Sequence, residues 1–113
     1  MLKKIWNSFL FSCQGFQSAF FKEYSFRLEI LAIPFLLLVL CFLEISTFRK
    51  LIMMAIYLLI PCLELLNSAV EKLADRLTTE YDHMIKFVKD AASASVFLAI
   101  IITALTWIAC ICF

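Results

Sequence analysis

The sequence predicts an all-α integral membrane protein, with an amino-terminal amphipathic helix on the membrane surface followed by three transmembrane helices. Hydrophobic residues make up 65% of the 113-residue chain, with 12 Phe and a single Gly. A soluble domain of this size cannot hide so much apolar surface. Between Leu2 and Phe20 the apolar residues recur at helical period. Beyond them lie long, sparsely charged runs, each near the roughly 20 residues that cross about 30 Å of hydrocarbon.

In the first element, Leu2, Ile5, Trp6, Phe9, Cys13, Phe16 and Phe20 form a stripe opposed by Lys3, Lys4, Asn7, Ser8, Gln14, Ser18 and Lys22. Such a helix lies in the interface with its apolar face in the acyl chains. It serves either as a plain anchor or, through Lys4 and Ser8, as the rim of a site. Ser12, Gln14, Gln17 and Ser18 interrupt the apolar core that a secretory signal needs, so the start is expected to be retained. Residues 1–27 are assigned to this helix and its junction.

The first span is placed at 28–48, with Pro34 as a tolerated kink. A short link through Arg49 and Lys50 makes the second span, 51–70, an antiparallel neighbour. Residues 71–90 form a charged segment, and 91–113 a third, uncharged span. Lys3, Lys4, Lys22 and Arg27 precede the first span, and Lys72, Arg76, Lys86 and Lys89 follow the second, against only Arg49 and Lys50 in the link. This bias places the amino terminus and the charged segment in the cytoplasm, with the carboxyl terminus on the far side.

Several functions are disfavoured. The net charge is +1 and the basic residues are spread, so no nucleic-acid partner is expected. The five Cys show neither a disulfide framework nor zinc spacing, and Cys110-Ile111-Cys112 lacks residues to complete a metal site. With Gly15 the sole glycine, neither a P-loop nor a Gly-rich kinase loop is present. No inverted repeat suggests a transporter.

Chemistry is expected on the second span. Glu64, Asn67, Ser68, Glu71 and Asp75 share one helical face. A carboxylate within a membrane helix costs about 2.5–3.5 kcal/mol on insertion scales, which marks the stripe as a functional-site candidate. Glu64 lies about 9 Å below the cytoplasmic interface at 1.5 Å per residue, and Glu71 lies at the water line. Glu64 suits either a general base or an interhelical hydrogen-bond partner. Glu23 is placed to join Glu71 as a second hard-oxygen ligand for Mg²⁺ with a polyphosphate, or to act as an interfacial charge. Lys89, Asp90 and Ser93 open the third span, where the lysine either neutralises phosphate or snorkels. Arg27 and Glu29 read as interfacial anchors, and His83 as a solvated loop residue. A non-enzymatic alternative is a small oligomeric ion- or proton-conducting protein lined by Glu64 and Asn67, although no polar chain links Glu64 to Glu44.

The segments Glu23-Tyr24-Ser25-Phe26-Arg27-Leu28-Glu29, Glu64-Leu65-Leu66-Asn67-Ser68-Ala69-Val70-Glu71, Asp75-Arg76 and Lys89-Asp90-Ala91-Ala92-Ser93-Ala94 closely resemble the prokaryotic diacylglycerol kinase family, which includes undecaprenol kinases. The resemblance covers nearly the whole chain. It implies a homotrimeric bundle of three-span protomers in the bacterial inner membrane, with a periplasmic carboxyl terminus and active sites shared between protomers. The implied activity is phosphorylation of a membrane lipid hydroxyl by MgATP, with Mg²⁺ as cofactor. Diacylglycerol giving phosphatidic acid is the favoured substrate, and undecaprenol the alternative. By the same resemblance Glu64 is the catalytic base supported by Asn67, and Glu23 and Glu71 are metal ligands. ATP contacts are Lys4, Phe11, Glu23, Glu71, Glu80, Tyr81, Lys89 and Asp90. The lipid site takes Lys4, Ser25, Arg27, Glu29, Glu64 and Ser93. Lys4 stands where relatives often have Arg, Phe11 where an aromatic hydroxyl is common, and Leu77-Thr78-Thr79 replaces a glycine-containing turn.

Overall fold

The chain leaves helical geometry at Glu23, Leu43 and Thr78, and none of these breaks is made by a proline. The computed structural model describes residues 1–113 as four α-helices: α1 (Leu2–Lys22), α2 (Tyr24–Phe42), α3 (Thr47–Leu77) and α4 (His83–Cys112). Glu23, extended at φ −106° and ψ 111°, separates α1 from α2. Pro34 and Pro61 lie inside α2 and α3 without ending either. The later helices start on side-chain caps. Ser46 accepts from the Arg49 N–H at 3.2 Å, and Asp82 accepts from the N–H groups of Met84 and Ile85 at 2.9 and 3.1 Å. Each cap satisfies donors that a helix start leaves unpaired.

Helices α2, α3 and α4 are each long and apolar enough to cross a membrane. Two boundaries differ from expectation. The first span was taken to Phe48, but α2 stops at Phe42, and the Ser46 cap gives Thr47 and Phe48 to α3. The charged stretch is mostly helical, so that only residues 78–82 separate α3 from α4. His83 is therefore the first residue of α4 rather than a loop residue, because the Asp82 cap starts the helix there. At 31 residues, α3 measures about 46 Å, well beyond the hydrocarbon thickness. Its last turns, with Glu71, Lys72, Asp75 and Arg76, extend the spanning rod past the apolar zone.

The helices pack in sequence order, α1 on α2, α2 on α3 and α3 on α4. Only 11 of 113 residues are buried, with Phe26 and Met53 fully enclosed. Polar side chains link the spans through backbone carbonyls. The Trp107 indole N–H donates to Met53 O at 2.9 Å, and the Tyr57 hydroxyl to Glu29 O at 2.7 Å. Thr103 donates within α4 to Ala99 O at 2.8 Å. At the opposite end of α3 from Glu71, the Arg49 guanidinium donates to Cys110 O and Phe113 O, both at 3.1 Å. These bonds satisfy carbonyls that the end of α4 leaves free. Most large apolar side chains, such as Leu31, Phe35, Phe97 and Leu105, face outward. That surface suits lipid or further helices rather than water.

The Asp82 cap gives a direct test. Asp82→Ala should lower the stability of the folded protein by about 0.5–2 kcal/mol, read as an earlier loss of helix signal in an SDS titration from mixed micelles. Asp82→Asn should retain most of it.

Candidate active site

The α1–α2 break and one face of α3 bring together carboxylates that lie far apart in the chain. Glu64, Asn67 and Glu71 are three or four residues apart on α3 and so share a face. Glu23 enters from the break and Glu29 from the first turns of α2. Glu64 lies within charge reach of Glu23 and Glu71, and Glu29 within charge reach of Glu64. Asn67 is buried, and its amide N–H donates to Glu71 Oε1 at 3.3 Å while its Oδ1 has no partner. Ser68 is buried beside it, and Glu29 Oε2 is likewise enclosed without a partner. Unpaired buried acceptors are costly and rare in a folded protein, so two in one cluster point to an incoming donor or cation.

Three lysines near the site are already engaged. Lys72 Nζ lies 2.9 Å from Glu23 Oε1. Lys89 pairs with Asp75 across α3 and α4, and Lys86 pairs with Asp90 along α4. Glu64 is half-buried and belongs to no ion pair. Chemically it is a carboxylate flanked by an amide and by like charges, poised to accept a proton rather than to hold a cation by itself.

The donor set suits a hard divalent cation bound together with a ligand. No group of three or more His, Cys, Asp or Glu side chains gathers into a self-sufficient metal cage. Glu23 and Glu71, within charge reach of both Glu64 and Lys72, are the two residues on separate elements that could offer hard oxygens to such a cation. Mg²⁺ is commonly held by one or two carboxylates, with substrate phosphates and water completing the octahedron.

Two depressions lie at this end of the molecule, the first of them against the carboxylate face. One, of about 240 Å³, lies between the end of α1 and α3 and is lined by Ser18, Lys22, Glu23, Ser68 and Lys72. The other, of about 410 Å³, lies at the α3–α4 turn, where Glu80, Tyr81, Lys86, Lys89 and Asp90 line it. The second has the volume of a small-ligand site. Thus Glu80, Tyr81, Lys89 and Asp90 are brought together, as are Glu23, Glu29, Glu64, Asn67 and Glu71. Lys4 and Phe11 are exposed on α1 and line neither depression, and Ser25 and Ser93 are exposed on α2 and α4. Arg27 donates to Phe21 O at 3.4 Å across the break and lies 5.8 Å from the Tyr24 ring centre.

Three participants were not among the expected site residues. Lys86 is detectable in the sequence, since Lys86 and Asp90 have the i, i+4 spacing of a helical ion pair. Asp75 was placed on the polar stripe, but its pairing with Lys89 depends on how α3 meets α4. Lys72 has no sequence signal at all, because only the tertiary fold brings it to Glu23.

The family model described as prokaryotic diacylglycerol kinase matches residues 10–111 of the chain. A diacylglycerol kinase of Haemophilus influenzae is 41% identical over 101 residues, covering 89% of this chain and 86% of the relative. One from Pseudomonas aeruginosa is 38% identical over 106 residues, covering 94% and 86%. The diacylglycerol kinase of Escherichia coli K12 is 32% identical over 97 residues, covering 86% and 80%.

The exposed pair between α3 and α4 should contribute little to folding. Asp75→Asn and Lys89→Met are each expected to change stability by less than about 1 kcal/mol. Denaturation in mixed micelles checks this, and a larger loss would make the pair a structural clamp.

Proposed function

Because the chain belongs to the prokaryotic diacylglycerol kinase family, we propose that it is an ATP-dependent lipid kinase that phosphorylates the hydroxyl of diacylglycerol to give phosphatidic acid. The observation that carries the catalytic assignment is Glu64, half-buried, without a cationic partner, and beside Asn67 at the centre of the carboxylate cluster. The depth expected for it from helical rise suits a lipid hydroxyl just below the head groups.

In the proposed reaction, the Glu64 carboxylate takes the proton of the lipid hydroxyl as that oxygen bonds to the γ-phosphorus of ATP. The bond to the β,γ-bridging oxygen breaks in line, and ADP leaves. Asn67 orients Glu64 and Glu71. Glu23 and Glu71 would hold Mg²⁺, which neutralises charge on the phosphates. Glu80, Tyr81, Lys89 and Asp90 contact the nucleotide, and Lys4 and Phe11 on α1 extend that contact. Ser25, Arg27, Glu29 and Ser93 line the lipid site. Positioning and charge neutralisation supply most of the rate, as in phosphoryl transfer generally.

The assembly proposed is a homotrimer in the bacterial inner membrane, with α1 lying amphipathically on the cytoplasmic surface and the carboxyl terminus in the periplasm. Two features support it. Outward-facing apolar side chains on all three spans leave ample surface for neighbouring copies, and Lys4 and Phe11 stand apart from the carboxylate cluster within one protomer. Sharing of sites between protomers accounts for that separation.

The test is transfer of labelled γ-phosphate from MgATP to diacylglycerol and to undecaprenol by purified protein in detergent. Phosphatidic acid is the expected product. Undecaprenyl phosphate would keep the mechanism but change the substrate, and absence of both products would overturn the kinase assignment. Glu64→Gln should lower kcat by at least about 100-fold, the lower bound for loss of general-base assistance, and Glu71→Gln should abolish turnover through loss of a metal ligand, while the helix content of both stays that of the parent. Near-parental turnover in either would contradict its role.

A further inference from the structure

Lys72 is the one cation that forms an ion pair with a member of the Glu23, Glu29, Glu64 and Glu71 cluster. Its ammonium lies 2.9 Å from Glu23 Oε1, and it is within charge reach of Glu71 and Asp75. Glu23 and Glu71 in turn repel Glu64. The side chain of Lys72 is two-thirds exposed, that of Glu23 only 24% exposed. The solvated member of the pair is therefore the lysine, and the carboxylate is the enclosed one. Lys72 also lines the depression between α1 and α3 together with Glu23 and Ser68. The carboxylates of this face thus have a resident counter-ion whose outer side faces water.

We infer that Lys72 is an internal counter-ion that holds Glu23 at the α1–α2 break against α3 and must give way when a divalent cation binds there. The inference rests on the metal role proposed for Glu23. Without a metal, the Lys72 ammonium offsets repulsion among Glu23, Glu64 and Glu71 and fixes the break against α3. A divalent cation on Glu23 and Glu71 would make that offset redundant and would repel the ammonium. Lys72 is then a positioning residue that competes with the metal for one oxygen of Glu23. Because the pair is exposed on the lysine side, the competition is modest. It corresponds to the range measured for solvent-exposed pairs, a change in metal affinity of about two- to fivefold.

The experiment is Mn²⁺ binding to the full-length protein in bicelles, followed by electron paramagnetic resonance of the free ion without nucleotide or turnover. Lys72→Met and Lys72→Gln should each bind Mn²⁺ about two- to fivefold more tightly than the parent, and Lys72→Arg should bind as the parent does. Unchanged or weaker binding in both neutral variants, each with parental helix content, would overturn the counter-ion role. Glu23→Gln is measured alongside and should weaken binding. If it binds Mn²⁺ like the parent, Glu23 is not a ligand, and the metal assignment falls together with this inference. If Glu23→Gln weakens binding while the Lys72 variants match the parent, only the counter-ion role falls.

Discussion

Inside a bilayer no water is available to satisfy a backbone N–H or C=O, and this constraint governs the whole molecule. Of 89 backbone hydrogen bonds, 81 lie within the helices, and those outside them are mainly at helix ends. The remaining needs are met where they arise. Caps at Ser46 and Asp82 serve helix starts, Arg49 serves the carbonyls at the end of α4, and hydroxyl and indole donors bridge the spans. Against this background of satisfied groups, the unpartnered Oδ1 of Asn67 and Oε2 of Glu29 mark the place where the fold departs from its own rule. Local rules are most often broken at functional sites.

Helix length turns that constraint into a site. A rod of α3's length cannot be confined to the hydrocarbon, so a single face runs from lipid to water and carries carboxylates at several depths. Glu64 therefore shares one rigid element with Glu71, and the register between the proposed base and the proposed metal ligand is set by helical rise. A site assembled on helices holds its geometry more closely than one assembled on loops. The one non-helical contributor, Glu23, is secured to α3 through Lys72.

The spans and the polar stripe were legible because each depends on a pattern local to one helix, either an apolar run of spanning length or carboxylates three and four residues apart. Hydropathy was silent on where a helix stops. Leu43, where α2 ends, is as apolar as the residues before it, and only the start of α3 is marked, by the cap at Ser46, a signal carried by a single hydroxyl. The 71–90 segment was taken as a charged connection. Its charges are in fact distributed around helical surfaces, with Lys86 and Asp90 one turn apart. Pairings between elements left no local trace. Glu23 with Lys72, Asp75 with Lys89 and Arg49 with the end of α4 each join residues that only the packing of helices brings together.

The packing order also bears on how the chain is made. α2 and α4 meet chiefly through α3, and neighbours in space are neighbours in sequence. Each helix leaving the ribosome therefore finds its docking partner already in the membrane, and no early segment waits for a distant one. Such local topology keeps loop-closure costs low and favours rapid assembly. The polar face of α3 reaches the bilayer with α2 already beside it, so its carboxylates enter next to a protein surface as well as lipid. The site thereby gains its first shelter during synthesis, before α4 closes the row.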